Sequence, residues 1–386
     1  MALLYRTWFG FSGWLAAVVL WLVLFQGQVL WWQPAALWAL FALLWLITRK
    51  LGAHPGALPF TAALVFLGWI FLTRLDPHLA QGHFQGVLLG SGFYLLGLLV
   101  PVCQLPLRRL WAWAALSLLA ITLIWGETAG GARAWLTVAG VRFQPVELAK
   151  IFFILYLGKH LAPGTSLWEL AFFLASFCLL LAWQRDLGPA ALVFLVFIWL
   201  SLRQAFSWYK LAGFLAALGA GFAAGAYLFP HVQTRVLAWL RPWDYLGSKG
   251  YQVLQGLFAL NSGGLVGQGL GEGLVQVIPH GHTDYILAII GEELGFLGTA
   301  ALLLCYLGLA FWAARILQDL TGGEQLTGLG LTLLLHLQVF LVAGGILRFL
   351  PFTGLTLPFV SYGTTSLVAQ FGMLGLVAGL SRGGEG

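Results

Sequence analysis

Long apolar stretches separated by short polar breaks run through the whole chain. A helix needs ~20 apolar residues to cross a bilayer, with a range of about 17–25. Twelve runs fit or approach that length: Trp8–Phe25, Trp31–Ile47, Leu58–Leu72, Phe84–Val102, Leu110–Trp125, Pro145–Leu161, Trp168–Trp183, Leu187–Leu202, Lys210–Phe229, Tyr285–Ala314, Leu326–Leu350 and Phe359–Leu380. Leu58–Leu72 is the weakest of them. The pattern predicts an all-α fold, a polytopic integral membrane protein of about twelve transmembrane helices. Trp8–Phe25 follows a single arginine, Arg6, and lacks a small-residue cleavage site. It therefore reads as an uncleaved first span rather than a signal peptide.

Composition agrees with the pattern. Of 386 residues, 60% are hydrophobic and 8% charged, and mean hydropathy is +0.91. A soluble domain carries about 25% charged residues, so this chain could not cover a water-facing surface. A cytosolic globular enzyme, a disordered regulator and a secreted disulfide scaffold are excluded. The three cysteines, Cys103, Cys178 and Cys305, lie in or at the ends of apolar runs. Their odd number argues against a disulfide framework, and they read as small packing residues. The net charge of +6 gives no ground for a nucleic-acid partner, because basic excess in a membrane protein gathers in cytoplasmic loops.

That bias orients the spans. With the N-terminus inside, the inner segments hold Arg6, Arg49, Lys50, Arg108, Arg109, Lys159, Arg203, Lys210, Arg315 and Arg382, against Arg74, Arg185 and Arg348 in short outer loops. Both termini are then cytoplasmic. Gly126–Gln144, Pro230–Asp284 and a turn near Pro351–Pro358 lie outside. The second is the large loop, between spans nine and ten. Structureless loops beyond about 12–15 residues are uncommon and usually functional. Being glycine-rich and partly apolar, this one is expected to dip back toward the membrane surface.

Ionisable groups inside spans face a cavity or a partner by default. Glu147 and Lys150 lie three residues apart at the start of span six, on one helix face. Pro145 precedes them in the first turn. The pair reads either as a self-neutralising helix end or as the polar wall of a substrate cavity. Asp186, beside Arg185, is placed to cap span eight. His280, His282 and Asp284 close the large loop at alternate positions. That spacing can mimic a metal site, but Asp284 alone suffices for two other roles. It can be an N-cap, or a carboxylate raised by desolvation that takes a proton from a hydroxyl nucleophile. Glu292 and Glu293 follow two turns on, with Lys150, Arg348 or Arg142 as candidate partners. The glycine cluster from Gly263 to Gly273 does not match the dinucleotide fingerprint and reads as a flexible or re-entrant loop.

These residues carry a resemblance. Gln144-Pro145-Val146-Glu147-Leu148-Ala149-Lys150 resembles the Gln-Pro-Ser-Glu-x-x-Lys motif of the shape, elongation, division and sporulation family, the RodA/FtsW proteins. Gly250-Tyr251-Gln252, Gln255, the glycine-rich run, Pro279 and His282-Thr283-Asp284-Tyr285-Ile286 follow that family's catalytic loop in order. Glu292-Glu293-Leu294-Gly295 is similar to its Glu-Glu-x-Gly. The stretch from Gly354 to Gly363, with Ser361 and Tyr362, resembles its C-terminal signature. The likeness runs from Gly126 to the C-terminus. Five spans precede the Gly-Ala-x-Arg-Trp loop where the family has three, so residues 1–57 read as an added N-terminal hairpin and 58–386 as the ten-helix core. That loop reads Gly131-Ala132-Arg133-Ala134-Trp135, with Arg133 one place early. Gln276 stands where many members have Glu, and Arg185 replaces the proline of Pro-Asp-Leu-Gly.

The resemblance implies a peptidoglycan glycosyltransferase that polymerises lipid II at the outer face of the bacterial cytoplasmic membrane. It implies Asp284 as the catalytic base. It implies substrate contacts from Glu147, Lys150, Arg133, Trp135, Arg142, Gln252, Gln255, His282, Thr283, Ser361 and Tyr362. No tight metal site is expected, although a divalent ion, Mg or Mn, is compatible with a diphosphate leaving group. Lipid II, membrane lipids and a class B penicillin-binding protein are the implied partners. A flippase for lipid-linked precursors and a non-catalytic scaffold remain as alternatives.

Overall fold

The computed structural model describes residues 32–101, 105, 107–161, 167–203, 208–247 and 249–382. The run Trp8–Phe25 and Cys103 lie outside the described residues. Most of the described chain is α-helical: α1 (Trp32–Lys50), α2 (Leu58–Leu75), α3 (Pro77–Leu99), α4 (Arg108–Trp125), α5 (Val146–His160), α6 (Leu167–Trp183), α7 (Leu187–Arg203), α8 (Trp208–Leu228), α9 (Pro230–Leu240), α10 (Lys249–Gly263), α11 (Ile286–Leu317), α12 (Gly322–Ile346) and α13 (Thr364–Gly379). Each remaining apolar run of the sequence carries a helix. Among the described residues, five helices are long and apolar enough to cross a membrane: Pro55–Leu75, Pro77–Leu99, Arg108–Trp125, Ile286–Leu317 and Gly322–Ile346.

Helix ends depart from the apolar runs for local reasons. α3 begins at Pro77, well before Phe84, because the Asp76 carboxylate accepts the His78 N–H at 2.8 Å and Pro77 takes the first helical position. Both residues suit a helix start. The last run turns helical only at Thr364. Before it, Phe359 holds φ 62°. The Ser361 hydroxyl and the Gln370 amide oxygen accept the N–H groups of Leu357 and Phe359, each at 2.8 Å. α11 is broken at Gly295, whose φ of 64° and ψ of −164° belong to a region open almost only to glycine.

Gly126–Gln144 is not a plain loop. It folds into an antiparallel sheet of β1 (Glu127–Ala129), β2 (Ala132–Val138) and β3 (Val141–Phe143), in the order β1-β2-β3. Ala129 pairs with Ala132 and Val138 with Val141. The two-residue turns Gly130-Gly131 and Ala139-Gly140 all have positive φ, as tight hairpins require. The all-α expectation misses this sheet because three-residue strands are too short to show alternation. The large loop is likewise structured: it holds α9, a 3-10 turn at Pro242–Tyr245, α10 and a second 3-10 turn at Val275–Val277.

The chain divides into two compact units, Met1–Val100 with Ala259–Ile316 and Leu357–Gly386, and Pro101–Phe258 with Leu317–Thr356. In the first, α3 and α13 meet backbone to backbone, so a Cβ on Gly375 would fall 2.1 Å from the Tyr94 carbonyl oxygen. Small residues at helix crossings are the usual device where water cannot drive association. α1 is tied in by polar bonds: Trp69 Nε1 donates to Gln33 at 2.8 Å, and the Thr48 and Tyr94 hydroxyls lie 2.9 Å apart. In the second unit α5 is the buried centre, with Phe153 against Phe177 at 4.5 Å and Tyr156 against Phe173 at 5.1 Å.

Candidate active site

In the first unit, residues 280–284 form a tight turn just before α11. The His280 carbonyl accepts the N–H groups of Thr283 and Asp284 at 3.1 and 3.2 Å and the Thr283 hydroxyl at 3.1 Å. The non-helical segment before α13 grips this turn. Ser361 Oγ donates to the Thr283 carbonyl at 2.5 Å, and the Tyr362 N–H donates to the His282 carbonyl at 2.9 Å. The His282 and Tyr362 rings lie 6.1 Å apart, edge to face. Four of the expected substrate-contact residues, His282, Thr283, Ser361 and Tyr362, are thus gathered around Asp284. Asp284 itself is half-buried and is followed by the fully buried Tyr285. A carboxylate at such a boundary can face a polar substrate while its back is shielded from water. Burial holds the His282 imidazole below its ordinary pKa; His280 adds to this and Asp76 opposes it. That shift favours the neutral imidazole, which can both donate and accept. Among the described residues no three His, Cys, Asp or Glu side chains group to hold a metal ion.

Glu292 and Glu293 do not take the partners expected from sequence. Arg74, at the end of α2, is the cation that pairs with Glu293, whereas Lys150 pairs with Glu147. Sequence spacing gave no hint of Arg74, which is remote in the chain and sits at the end of the weakest apolar run.

The second unit holds a different constellation. Lys150 Nζ lies 2.9 Å from Glu147 Oε1, with side-chain exposures of 1% and 7%, so the pair is withdrawn from water. Glu147 stands in the first turn of α5, where the helix dipole favours an anion. Lys150 also reaches Gln338 Oε1 at 3.4 Å. The Gln338 amide nitrogen donates to the Thr356 carbonyl at 2.8 Å, which fixes its oxygen toward the lysine. Asp186, in the turn between α6 and α7, is pushed up to about 6 by burial, opposed by Arg235 and Lys150, while Glu147 raises it further and Gln144 hydrogen-bonds it. Arg235 donates to the Thr353 carbonyl at 3.1 Å and stands over the Phe352 ring. Sequence reasoning missed Gln338 and Arg235. The signal for Gln338 was its polarity inside an apolar run; Arg235 was hidden in a long loop excluded from the charge count.

The sheet residues divide. The Arg133 guanidinium caps α4, donating to the carbonyls of Gly126 at 2.7 Å and Ile124 at 3.0 Å. Arg142 is exposed, stacks 4.8 Å above the Trp135 ring and lies 3.7 Å from Glu127. Gln252 is buried and Gln255 half-buried on one face of α10.

The FtsW, RodA and SpoVE family model, described as a cell cycle protein, matches residues 57–385. The peptidoglycan glycosyltransferase RodA of Mycobacterium leprae is 32% identical over 89% of this chain and 82% of its own length. The probable peptidoglycan glycosyltransferase FtsW of Bacillus subtilis is 32% identical over 67% of this chain and 69% of its own. A solved chain from a peptidoglycan synthase complex that coordinates polymerization and crosslinking superposes with a TM-score of 0.71 at 30% identity, covering 86% of this chain and 98% of that one. The rod shape determining protein RodA of Thermus thermophilus superposes at 0.65, also at 30% identity, over 86% and 97%. With matched segments running through both units and a shared fold at this identity, the chain belongs to the FtsW/RodA/SpoVE family.

Proposed function

We propose that this chain is a peptidoglycan glycosyltransferase of the cytoplasmic membrane that joins lipid II units into glycan strands. The observation that carries the reading is the turn around Asp284, gripped by Ser361 and Tyr362 at the head of an apolar helix. In the reaction, a sugar hydroxyl of the acceptor attacks the anomeric carbon of the donor and undecaprenyl diphosphate leaves. The hydroxyl needs a base and the diphosphate needs a cation. Asp284 takes the proton, a role that typically contributes about 10²–10⁴-fold. His282 and Thr283 orient the acceptor beside it. Lys150, Arg133 and Arg142 are the candidate cations for the diphosphate. Trp135, Gln252 and Gln255 complete the contacts to sugar and peptide.

Twelve spans with both termini inside put this rim outside the cell, where lipid II is polymerised. Residues 1–57 form an added hairpin on a core of residues 58–386, a division supported by a family match that begins at residue 57. The partner is a class B penicillin-binding protein, in keeping with the synthase complex that the fold resembles. A flippase would need polar groups near the bilayer midplane, often in inverted repeats. Polymerisation of detergent-solubilised lipid II by the purified chain, free of other polymerases, tests the reading. Glycan product supports it, and its absence in the presence of the transpeptidase partner refutes it.

A further inference from the structure

Two adjacent carboxylates, Glu292 and Glu293, are 6% and 1% exposed inside α11. Charges so placed are retained only where partners compensate them. Their partners come from the glycine-rich segment and from α2. Glu293 Oε2 accepts the Gly271 N–H at 3.1 Å, and Glu292 Oε1 accepts the Leu274 N–H at 3.1 Å. Arg74 pairs with Glu293 Oε1, and its other nitrogen donates to the Gly271 carbonyl at 2.8 Å. Arg74 therefore binds the acid and the loop that the acid binds.

The break at Gly295 explains why the loop fits there. In an unbroken helix the carbonyls of Glu292 and Glu293 would accept from Phe296 and Leu297. Here all four groups turn to the loop. Gln268 and Gly269 donate to the Glu292 and Glu293 carbonyls at 2.9 and 3.1 Å, and Phe296 and Leu297 donate to Gly264 and Leu265 at 2.9 and 3.0 Å. The glycine-rich segment is stitched into the gap, and a Cβ on Gly295 would sit 2.3 Å from the Gly267 nitrogen.

From this stitch the chain runs through Val275–Val277 directly to the turn that carries Asp284. The α2–α3 junction meets that end as well. Asp76, two residues from Arg74, acts electrostatically on His282, and Gly82 of α3 leaves room for the Tyr362 ring. The α2–α3 region thus holds the start of the segment and lies beside its far end.

Resting on the glycosyltransferase reading, we propose that Arg74 is a positioning residue for glycosyl transfer: by holding Glu293 and the Gly271 carbonyl together, it fixes the glycine-rich segment that sets the turn presenting Asp284. It touches no reacting atom. Its loss should lower turnover more than substrate affinity, and a lysine, which keeps the charge but loses the two-armed grip, should restore part of the effect.

The test uses the full chain in detergent and the variants Arg74→Gln, Arg74→Lys and Arg74→Gln/Glu293→Gln. The double variant removes the uncompensated carboxylate should the single one fail to fold. Amide hydrogen exchange is read over residues 264–274, with the sheet at 132–143 as control, beside steady-state lipid II kinetics. Removing Arg74 should speed exchange in 264–274 about tenfold or more with the sheet unchanged, and lower kcat about tenfold with KM within about twofold. Arg74→Lys should fall between. Unchanged exchange overturns the proposal, and so does faster exchange with kcat retained. A wild-type chain that makes no polymer refutes the enzyme reading instead, and the exchange data separate that failure from failure of the brace.

Discussion

Replacing Lys150 by methionine should be among the most destabilising single changes in the second unit. The ammonium is 2.9 Å from Glu147, and both side chains are withdrawn from water. Met keeps most of the length and the apolar stem of lysine, so packing loss is small and the charge term dominates. What remains is a buried carboxylate with Asp186 nearby, and stranding one partner of a buried pair costs about 3–5 kcal/mol. Changing both, as Lys150→Met with Glu147→Gln, leaves no stranded charge and should cost under about 2 kcal/mol. Since Glu147→Gln alone strands the lysine at a similar cost, the two substitutions should couple by about 4 kcal/mol or more rather than add. Reversible unfolding in mixed micelles, followed by the fluorescence of the chain's 19 tryptophans, measures each variant. A double variant as unstable as the sum of the two singles would refute the buried-pair reasoning.

Other perturbations test other parts. The raised Asp186 carboxyl, at about 6 against 3.8, binds its proton more tightly folded than unfolded, so stability should fall as pH rises from about 4 to about 6 and level off above. Asp186→Asn should flatten that decline in unfolding measured across pH. Ala139 holds φ 50° in the β2–β3 turn; Ala139→Gly should relieve about 0.5–1 kcal/mol, read as slower exchange of the β2 and β3 amides. Gly295→Ala forces a Cβ 2.3 Å from a backbone nitrogen in a glycine-only conformation and should cost more than about 2 kcal/mol. Gly213→Ala in α8, where a Cβ meets open space, should be neutral or stabilising by up to about 1 kcal/mol, and unfolding of the two variants side by side checks the contrast.

The helices were legible because burial in lipid demands long apolar runs, and each run within the described chain carries one. The Glu147–Lys150 pair was legible because helical spacing alone brings them together. The start of α3 was also written in the chain, as Asp76-Pro77, but a hydropathy reading skips a cap that precedes polar helical residues. The sheet was missed because β1 and β3 have three residues each; its signal lay in Gly130-Gly131 and Ala139-Gly140. Arg74 and Arg235 were illegible for a different reason. Each finds its partner across more than a hundred residues of chain, and no local spacing rule encodes such a meeting. Arg133 shows the converse: a motif supplied a candidate cation, and the geometry adds a hold on the end of α4 that the motif does not announce.

The account stands most directly on the Asp284 carboxylate. Purified wild type and Asp284→Asn, matched for folded protein and given lipid II without any other polymerase, should differ in polymer yield by about a hundredfold or more. Equal yields from the two would contradict the base assignment and the function built on it.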